Sequence, residues 1–222
     1  MDLELYQYLN NYSLHSTLST TEQTQSDINQ KKSERLASKD VDWPEIHTAT
    51  MAGFIHSPQR FGFDGYDEVR GLYCEVKSSS KIINKDILRK FTLGHISQRN
   101  QLIGNPLDGR GVFSLFTHNA YQRYMAEDVR MLVSAYVNGV LMFIIEFPFK
   151  HPTFEQHIKR MLDQALPDGD KPGRAKTISF GYSQYKDCAD AKLLYLTHDG
   201  NQRVLKGACS KHFYSYLLSL SN

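Results

Sequence analysis

The sequence contains few cysteines and no long uninterrupted hydrophobic run. Its three cysteines are odd in number and widely spaced, which argues against a disulfide framework and against a zinc site. The longest apolar stretch, VLMFIIEFPF (140–149), is too short to span a bilayer and contains Glu146. The N-terminal residues MDLELYQYL are acidic and lack the basic region of a signal peptide. These absences predict a cytoplasmic protein with reduced thiols and no membrane span.

An excess of charge of one sign is also missing. The chain has 26 Lys and Arg against 24 Asp and Glu, a formal net charge of +2. Binding to nucleic acid would therefore depend on a local basic surface and not on bulk charge. The sequence has no Walker loop, dinucleotide fingerprint, nucleophile elbow or paired-histidine zinc motif, which argues against the enzyme classes that use them.

The length and apolar content predict one domain with a substantial core. The chain has 222 residues, of which 41% are hydrophobic. Residues 1–40 are polar and rich in Ser, Thr, Gln and Asn, and we expect them to form a helical N-terminal extension of a single domain over 1–222. The remainder alternates strand and helix patterns. We therefore predict an α/β (α+β) fold with a central mixed β-sheet flanked by helices.

Hydrophobic periodicity and turn residues place the individual elements. Helices are predicted to begin at DWPEI (42–46) and to cover about 84–103, 119–128, 151–167 and 209–220. Strands are predicted within 62–80, 112–116, 129–149, 176–185 and 191–197. Asn138-Gly139 is typical of a tight β-hairpin turn.

The stretch GFDGYDEVRGLYCEVKSSS (62–80) reads as a strand pair that carries charges near its middle. Alternation along the second strand puts Cys74 and Val76 on an apolar face, and Glu75 and Lys77 on the face away from the core. A loop over residues 68–71 would place Asp64 opposite Glu75.

The same register has consequences for the neighbouring residues. It pairs Phe63 with Val76 on the apolar face and Gly62 with Lys77. A shift of one residue would move Asp64 onto the apolar face, so the hydrophobic pattern favours this register.

Two carboxylates that face each other across a strand pair repel, and a divalent cation between them would remove the repulsion. Mg²⁺ suits this arrangement because it takes oxygen ligands and only one or two protein carboxylates. Lys77 would then lie beside the metal, where it could stabilise charge on a phosphate. The alternative interpretation is an exposed cross-strand ion pair without catalytic function. A competing Asp-x-Lys pattern occurs at Asp190-Ala191-Lys192.

Asp64, followed after ten residues by Glu75-Val76-Lys77, resembles the motif of the PD-(D/E)xK nuclease superfamily, the fold of most type II restriction endonucleases. The resemblance implies Mg²⁺-dependent hydrolysis of DNA, with Asp64 and Glu75 as metal ligands and Lys77 as the catalytic lysine. Phe63 occupies the position of the family's proline. Related nucleases often add a helix carboxylate to the metal site, and Glu45 is the candidate here. The alternative for Glu45 is a solvated acid near a helix N-terminus.

Polar and basic residues around this motif are candidates for contacts with DNA, although each could be an ordinary surface residue. The predicted DNA-binding residues are Gln59, Arg60, Ser79, Lys81, Lys85, Arg89, Arg110, Asn119 and Arg123. Further candidates lie in 98–101 and 171–176. The resulting expectation is a type II restriction endonuclease that acts as a homodimer on double-stranded DNA. The alternatives are a repair or recombination nuclease of the same fold and a non-catalytic DNA-binding or interaction protein.

Overall fold

The computed structural model describes residues 43–57, 62–95, 105–171, 176–198 and 200–221. The predicted N-terminal extension, 1–40, lies outside the described residues. The helices are α1 (Trp43–Met51), α2 (Lys85–Thr92), α3 (His118–Ala126), α4 (Pro152–Ala165), α5 (Gly200–Ala208) and α6 (Lys211–Ser219), with a 3₁₀ turn at Tyr182–Gln184. The strands are β1 (Ile55–His56), β2 (Gly65–Asp67), β3 (Leu72–Lys81), β4 (Gly111–Phe116), β5 (Val129–Val137), β6 (Val140–Pro148), β7 (Lys176–Phe180) and β8 (Lys192–Leu196).

Six of these strands form a central mixed sheet in the order β1-β2-β3-β5-β6-β8. Strands β3 and β5 are parallel, and the other neighbours in this sheet are antiparallel. Strands β4 and β7 form a separate antiparallel pair. The predicted fold class, a mixed α/β protein with a central mixed sheet flanked by helices, is confirmed.

The hairpin predicted at Asn138-Gly139 joins β5 to β6. Both residues have positive φ, 50° and 77°, as a tight primed turn requires. The side chain of Asn138 also accepts a hydrogen bond from the backbone N–H of Ile83 at 2.7 Å and donates one to its carbonyl at 3.0 Å. The turn therefore fixes the chain where it leaves β3.

The helix predicted over about 84–103 ends early within the described residues, and 96–103 lie outside them. It begins after Asn84, whose side chain accepts a hydrogen bond from the backbone N–H of Asp86. It ends at Thr92, because Gly94 turns the chain with a φ of 82° and the N–H of His95 donates to the carbonyl of Lys90. Helix α5 was not predicted from the sequence.

Both faces of the central sheet are covered. On one face α1 packs its Trp43 and Ile46 against Tyr136, Leu141 and Ile144. On the other face lies the largest apolar cluster, to which α3, α4, α5, α6 and the β4–β7 pair contribute. Strands β5 and β6 are thus buried on both faces, which explains their nearly continuous apolar stretches.

A buried polar network fixes α1 to the sheet. The Thr48 hydroxyl lies 2.7 Å from that of Ser134 and 2.9 Å from that of Tyr136. The Ser134 hydroxyl also lies 2.7 Å from that of Ser78 on β3, and His47 Nδ1 lies 2.9 Å from the Tyr136 hydroxyl. Because buried hydroxyls are costly without partners, this network restricts how α1 can sit on β3 and β5.

Candidate active site

The predicted pairing of the strands β2 and β3 is observed for its first three residue pairs. Asp67 lies opposite Leu72, Tyr66 opposite Tyr73, and Gly65 opposite Cys74. Gly71 closes the loop with a φ of 66°. The sequence pattern thus determined the register at the closed end of the hairpin.

The predicted continuation, with Asp64 opposite Glu75, Phe63 opposite Val76 and Gly62 opposite Lys77, is wrong because β2 begins at Gly65 and the ladder does not extend to the residues before it. The Asp64 N–H donates to the Cys74 carbonyl at 2.9 Å. The Asp64 carboxylate then accepts the Val76 N–H at 2.6 Å, in place of a backbone carbonyl. This side-chain bond ends the ladder and holds the Asp64 carboxylate against the edge of β3.

The assignment of the two faces also needs correction. Phe63 packs on the Tyr73 side, with its ring centroid 4.8 Å from that of Tyr73 and 5.0 Å from that of Tyr124. Glu75 and Lys77 do not point away from the core. Only 7% of Glu75 is exposed, because the crossover between the parallel strands β3 and β5 brings β4 and α3 over this face.

Three neighbours hold Glu75 and Lys77. The Lys77 ammonium group forms an ion pair with the Glu75 carboxylate and lies 5.0 Å from the ring centroid of Phe113. The Tyr124 hydroxyl hydrogen-bonds to Glu75. A Cβ atom on Gly111 would come within 2.9 Å of the Lys77 Cβ, so a glycine is needed for β4 to approach β3 this closely. The two charged side chains therefore occupy a defined position.

The carboxylates affect one another electrostatically. Burial, followed by the charges of Glu75 and Glu45, raises the pKa of Asp64 well above its ordinary value. Burial opposes the charge on Lys77, but the carboxylates of Glu75 and Asp64 outweigh it and raise the pKa of the amine. The structure thus brings together the predicted residues Asp64, Glu75 and Lys77, with Glu45 close enough to influence Asp64.

Glu45 approaches the site from the first turn of α1 and is bound by His56. The Glu45 Oε1 atom lies 3.1 Å from Nε2 of His56, which is 6% exposed. The second ring nitrogen of His56 is buried and has no hydrogen-bond partner among the described residues. Glu45 therefore lies in the first helical turn with its side chain 35% exposed, as the alternative interpretation expects, and its carboxylate is also bound by His56.

A cleft of about 450 Å³ opens beside Lys77. It is lined by Pro44, Glu45, residues 76–80, Arg110, Gly111 and Val112. Two of the predicted DNA-binding residues, Ser79 and Arg110, thus lie next to the candidate catalytic residues.

The other predicted DNA-binding residues lie elsewhere. Lys81 ends β3, and Lys85 and Arg89 are exposed on α2; they are not among the described residues that line the cleft. On α3, Asn119 is exposed, and the guanidinium group of Arg123 lies 5.3 Å from the ring centroid of Phe63. Gln59 and Arg60, together with the candidate segment 98–101 and residues 172–175, lie outside the described residues.

The competing pattern Asp190-Ala191-Lys192 is in a different environment. Asp190 and Lys192 are exposed, and Lys192 begins the edge strand β8. The Cα partner of Lys192 on β6 is Glu146, whose carboxylate is bound by Arg130 at 2.6 Å. Asp190 contributes its backbone carbonyl to Arg130. Among the described residues, no acid side chain bonds to the backbone of β8 as Asp64 bonds to that of β3.

Among the described residues, no three His, Cys, Asp or Glu side chains form a ready-made metal cage. Mg²⁺ does not need one, since it commonly takes one or two carboxylates and completes its shell with water and substrate phosphate. Asp64 and Glu75 supply hard oxygen donors only. Each carboxylate can accept several bonds, so the hydrogen bonds from Val76 and Lys77 leave capacity for an ion. The residues present thus fit Mg²⁺.

Sequence reasoning missed Tyr124 and His56, which contact Glu75 and Glu45. Tyr124 comes from α3, and His56 lies on β1 with no motif around it. Nothing local in the sequence marks either residue, because their contacts depend on the packing of the crossover and on the pairing of β1 with β2.

No family model matches the chain, and no curated protein matches it at a significant level. In the described part of the chain, no helix has both the length and the apolar character needed to cross a membrane. The geometry of the site is therefore the basis for assigning a function.

Proposed function

We propose that the chain is a Mg²⁺-dependent endonuclease that hydrolyses phosphodiester bonds in double-stranded DNA. Asp64 and Glu75 are the proposed metal ligands, with Glu45 as a third carboxylate at the border of the site, and Lys77 is the proposed catalytic residue. One observation carries the proposal: Asp64 at the edge of β3 meets Glu75 and Lys77 on this strand, beside a cleft that Lys77 lines. The resemblance of this residue set to the PD-(D/E)xK motif supports the same activity.

Bound Mg²⁺ would polarise the phosphate and lower the pKa of a bound water. The protein's own part follows from the charges around Lys77. Because Glu75 and Asp64 raise the pKa of its amine, Lys77 stays protonated and cannot accept a proton from water near neutral pH. Its role is therefore to stabilise negative charge that develops on the phosphate.

The carboxylates carry out two different tasks in this mechanism. Asp64 must be ionised to bind the ion, and its raised pKa means that metal binding and proton release are coupled. Glu75 is held by Lys77 and by the Tyr124 hydroxyl, so its oxygens are already positioned before any ion arrives. The hydrogen bonds that attach α1 to β3 and β5 likewise position the backbone around Glu45 before an ion binds.

The finer proposal is a type II restriction enzyme that works in the cytoplasm as a homodimer on a short palindrome. A protein with two-fold symmetry matches the symmetry of such a DNA site. The recognition residues would come from α3, whose Tyr124 contacts Glu75. A repair or recombination nuclease would use the same catalytic residues, and digestion separates these possibilities.

The decisive experiment is digestion of several plasmids and of branched DNA with Mg²⁺, Mn²⁺, Ca²⁺ or EDTA. We expect cleavage with Mg²⁺ or Mn²⁺, binding without turnover in Ca²⁺, and no reaction in EDTA. Discrete plasmid fragments would support restriction, and nicking confined to junctions would support repair. A Lys77→Ala protein, purified in parallel, excludes a contaminating nuclease. Full activity after exhaustive chelation would refute the metal assignment, and no cleavage with any ion would refute the nuclease.

A further inference from the structure

Strand β3 has one edge that is only partly paired. Along residues 73–81 it is bonded on one side to β5. On its other side, β2 pairs with residues 72–74 only. Beyond that point the described residues include no strand that continues the ladder, so the edge from Val76 to Ser80 borders the cleft.

The direction of the backbone groups on this edge follows from the observed bonds. The Cys74 carbonyl and the Val76 N–H both bond to Asp64. The backbone N–H and carbonyl groups of the even-numbered residues of β3 therefore point toward the open side. The Tyr73 N–H and the Lys81 carbonyl bond to the opposite side, as alternation requires. The N–H groups of Ser78 and Ser80 therefore point into the cleft.

The side chains near these two N–H groups differ in availability. The Ser78 hydroxyl is engaged by Ser134 at 2.7 Å, so Ser78 presents its backbone to the cleft. Ser80 and Arg110 are both exposed and line the same cleft. Two N–H donors and a guanidinium group facing one space form a site suited to an anion.

We propose that this open edge binds a phosphate of the DNA backbone adjacent to the one that is cleaved. The Ser80 N–H group donates to one of its oxygens, and Arg110, which lines the same cleft, neutralises its charge. The inference rests on the proposed nuclease function, since Lys77 lines the same cleft and places the reacting phosphate beside this one. An extended peptide is less suited to this site. Its neutral backbone would leave the guanidinium group of Arg110 without an anionic partner.

A proline at position 80 tests the backbone contact directly. Because the Ser80 N–H points to the open side, Ser80→Pro removes this donor without removing a bond to β5. Ser80→Ala is the matched control, since it removes the hydroxyl and keeps the N–H. Arg110→Ala tests the contribution of the guanidinium group, and Arg160→Ala on the exposed surface of α4 is its control.

The measurement is the affinity of each variant for a labelled duplex in Ca²⁺, over a range of salt concentrations, beside a thermal melt. We expect Ser80→Pro to weaken binding about tenfold without changing the salt dependence, because no charge is lost. We expect Arg110→Ala to reduce the slope of log K against log salt by about 0.9, the loss of one phosphate contact. Ser80→Ala and Arg160→Ala should bind like wild type.

The outcomes separate this inference from the nuclease proposal. If wild type cleaves DNA but Ser80→Pro and Arg110→Ala bind it normally, the phosphate site is wrong and the nuclease stands. If wild type binds DNA without cleaving it, the nuclease fails, and the same variants still decide on the phosphate site. Absence of both binding and cleavage overturns both. Should Ser80→Pro fail to fold, the salt slope of Arg110→Ala decides alone.

Discussion

Glu75-Val76-Lys77 and Asp190-Ala191-Lys192 have the same acid-x-Lys pattern on an interior and on an edge strand of one sheet, but their surroundings differ. Glu75 lies on an interior strand with 7% exposure, and the Lys77 side chain is 16% exposed. Asp190 and Lys192 are exposed where an edge strand begins. A buried acid and lysine require partners, whereas exposed ones are stabilised by water.

An acid-x-Lys pattern alone therefore does not indicate a functional site; the elements that pack over it do. At β3, the crossover covers the charges and Asp64 adds a second carboxylate, so the pKa of both Asp64 and Lys77 is raised. At β8, the nearby buried charge is instead the Arg130–Glu146 pair, in which each group is satisfied by the other. Clusters of perturbed ionisable groups beside a cleft are candidates for functional sites.

The largest expected effect is the loss of cleavage when the β3 residues are changed. Asp64→Asn, Glu75→Gln and Lys77→Ala should each lower the cleavage rate by about 10²-fold or more, because each removes a charge that acts on the reacting phosphate. Asp190→Asn and Lys192→Ala should cleave like wild type. Plasmid-cleavage rates measure all five. If Lys192→Ala is inactive while Lys77→Ala is active, the site belongs to the β8 strand.

The second effect concerns the stability of the β8 region. Glu146→Gln leaves the Arg130 guanidinium group without its carboxylate in a site where its side chain is 15% exposed. We expect the free energy of unfolding to fall by about 3 kcal/mol, as for other broken buried pairs. Denaturant titration measures this change. The cleavage rate per folded molecule should not change, and a loss of rate in the folded variant would extend the functional site to β6.

A smaller and opposite effect is expected for Asp64. Between its ordinary pKa of 3.8 and its raised pKa in the folded state, Asp64 is ionised when unfolded and protonated when folded. The folded state then binds more protons, so the stability of wild type falls as the pH rises through this window. Asp64→Asn removes this dependence and should stabilise the metal-free protein by about 1 kcal/mol at neutral pH.

Thermal melts over a range of pH values, with and without Mg²⁺, test this prediction. Saturating Mg²⁺ should raise the melting temperature of wild type, because the ion binds the folded state, and should have less effect on Asp64→Asn. Asp190→Asn provides the control. A lower stability of Asp64→Asn at every pH would mean that the carboxylate is needed for its bond to the Val76 N–H.

The smallest effect is expected for Lys192→Ala. This side chain is exposed, so its removal should change the free energy of unfolding by less than about 0.5 kcal/mol. Lys77→Ala should destabilise the protein more, because it leaves Glu75 buried without its cation. Equal changes for the two lysines in parallel denaturant titrations would mean that the two environments are energetically alike.

The sequence predicted those parts of the fold that depend on local signals. Asn138-Gly139 specified its hairpin, because few residue pairs adopt two consecutive positive φ angles. The loop before Leu72 likewise fixed the first three pairs of β2 and β3. Periodicity overestimated the length of α2, since the effect of Gly94 on the helix end was not recognised.

The candidate site was predictable in its residues but not in its environment. Alternation along β3 correctly placed Glu75 and Lys77 together. Their burial depends on the parallel pairing with β5, a long-range contact that period-two alternation does not encode. The bond from the Val76 N–H to the Asp64 carboxylate was also beyond sequence reasoning, because a polar side chain can replace a backbone acceptor at any strand end.

The parallel pairing of β3 with β5, from Tyr73–Val129 to Lys81–Val137, has a kinetic consequence. The chain that contains α2, β4 and α3 must close into a loop before the two strands can meet, and such non-local pairing slows folding to about milliseconds to seconds. Glu75 becomes buried only when β5 and α3 are both in place, so its ion pair with Lys77 is expected to form late. Glu75→Gln should then change the unfolding rate and leave the refolding rate nearly unchanged.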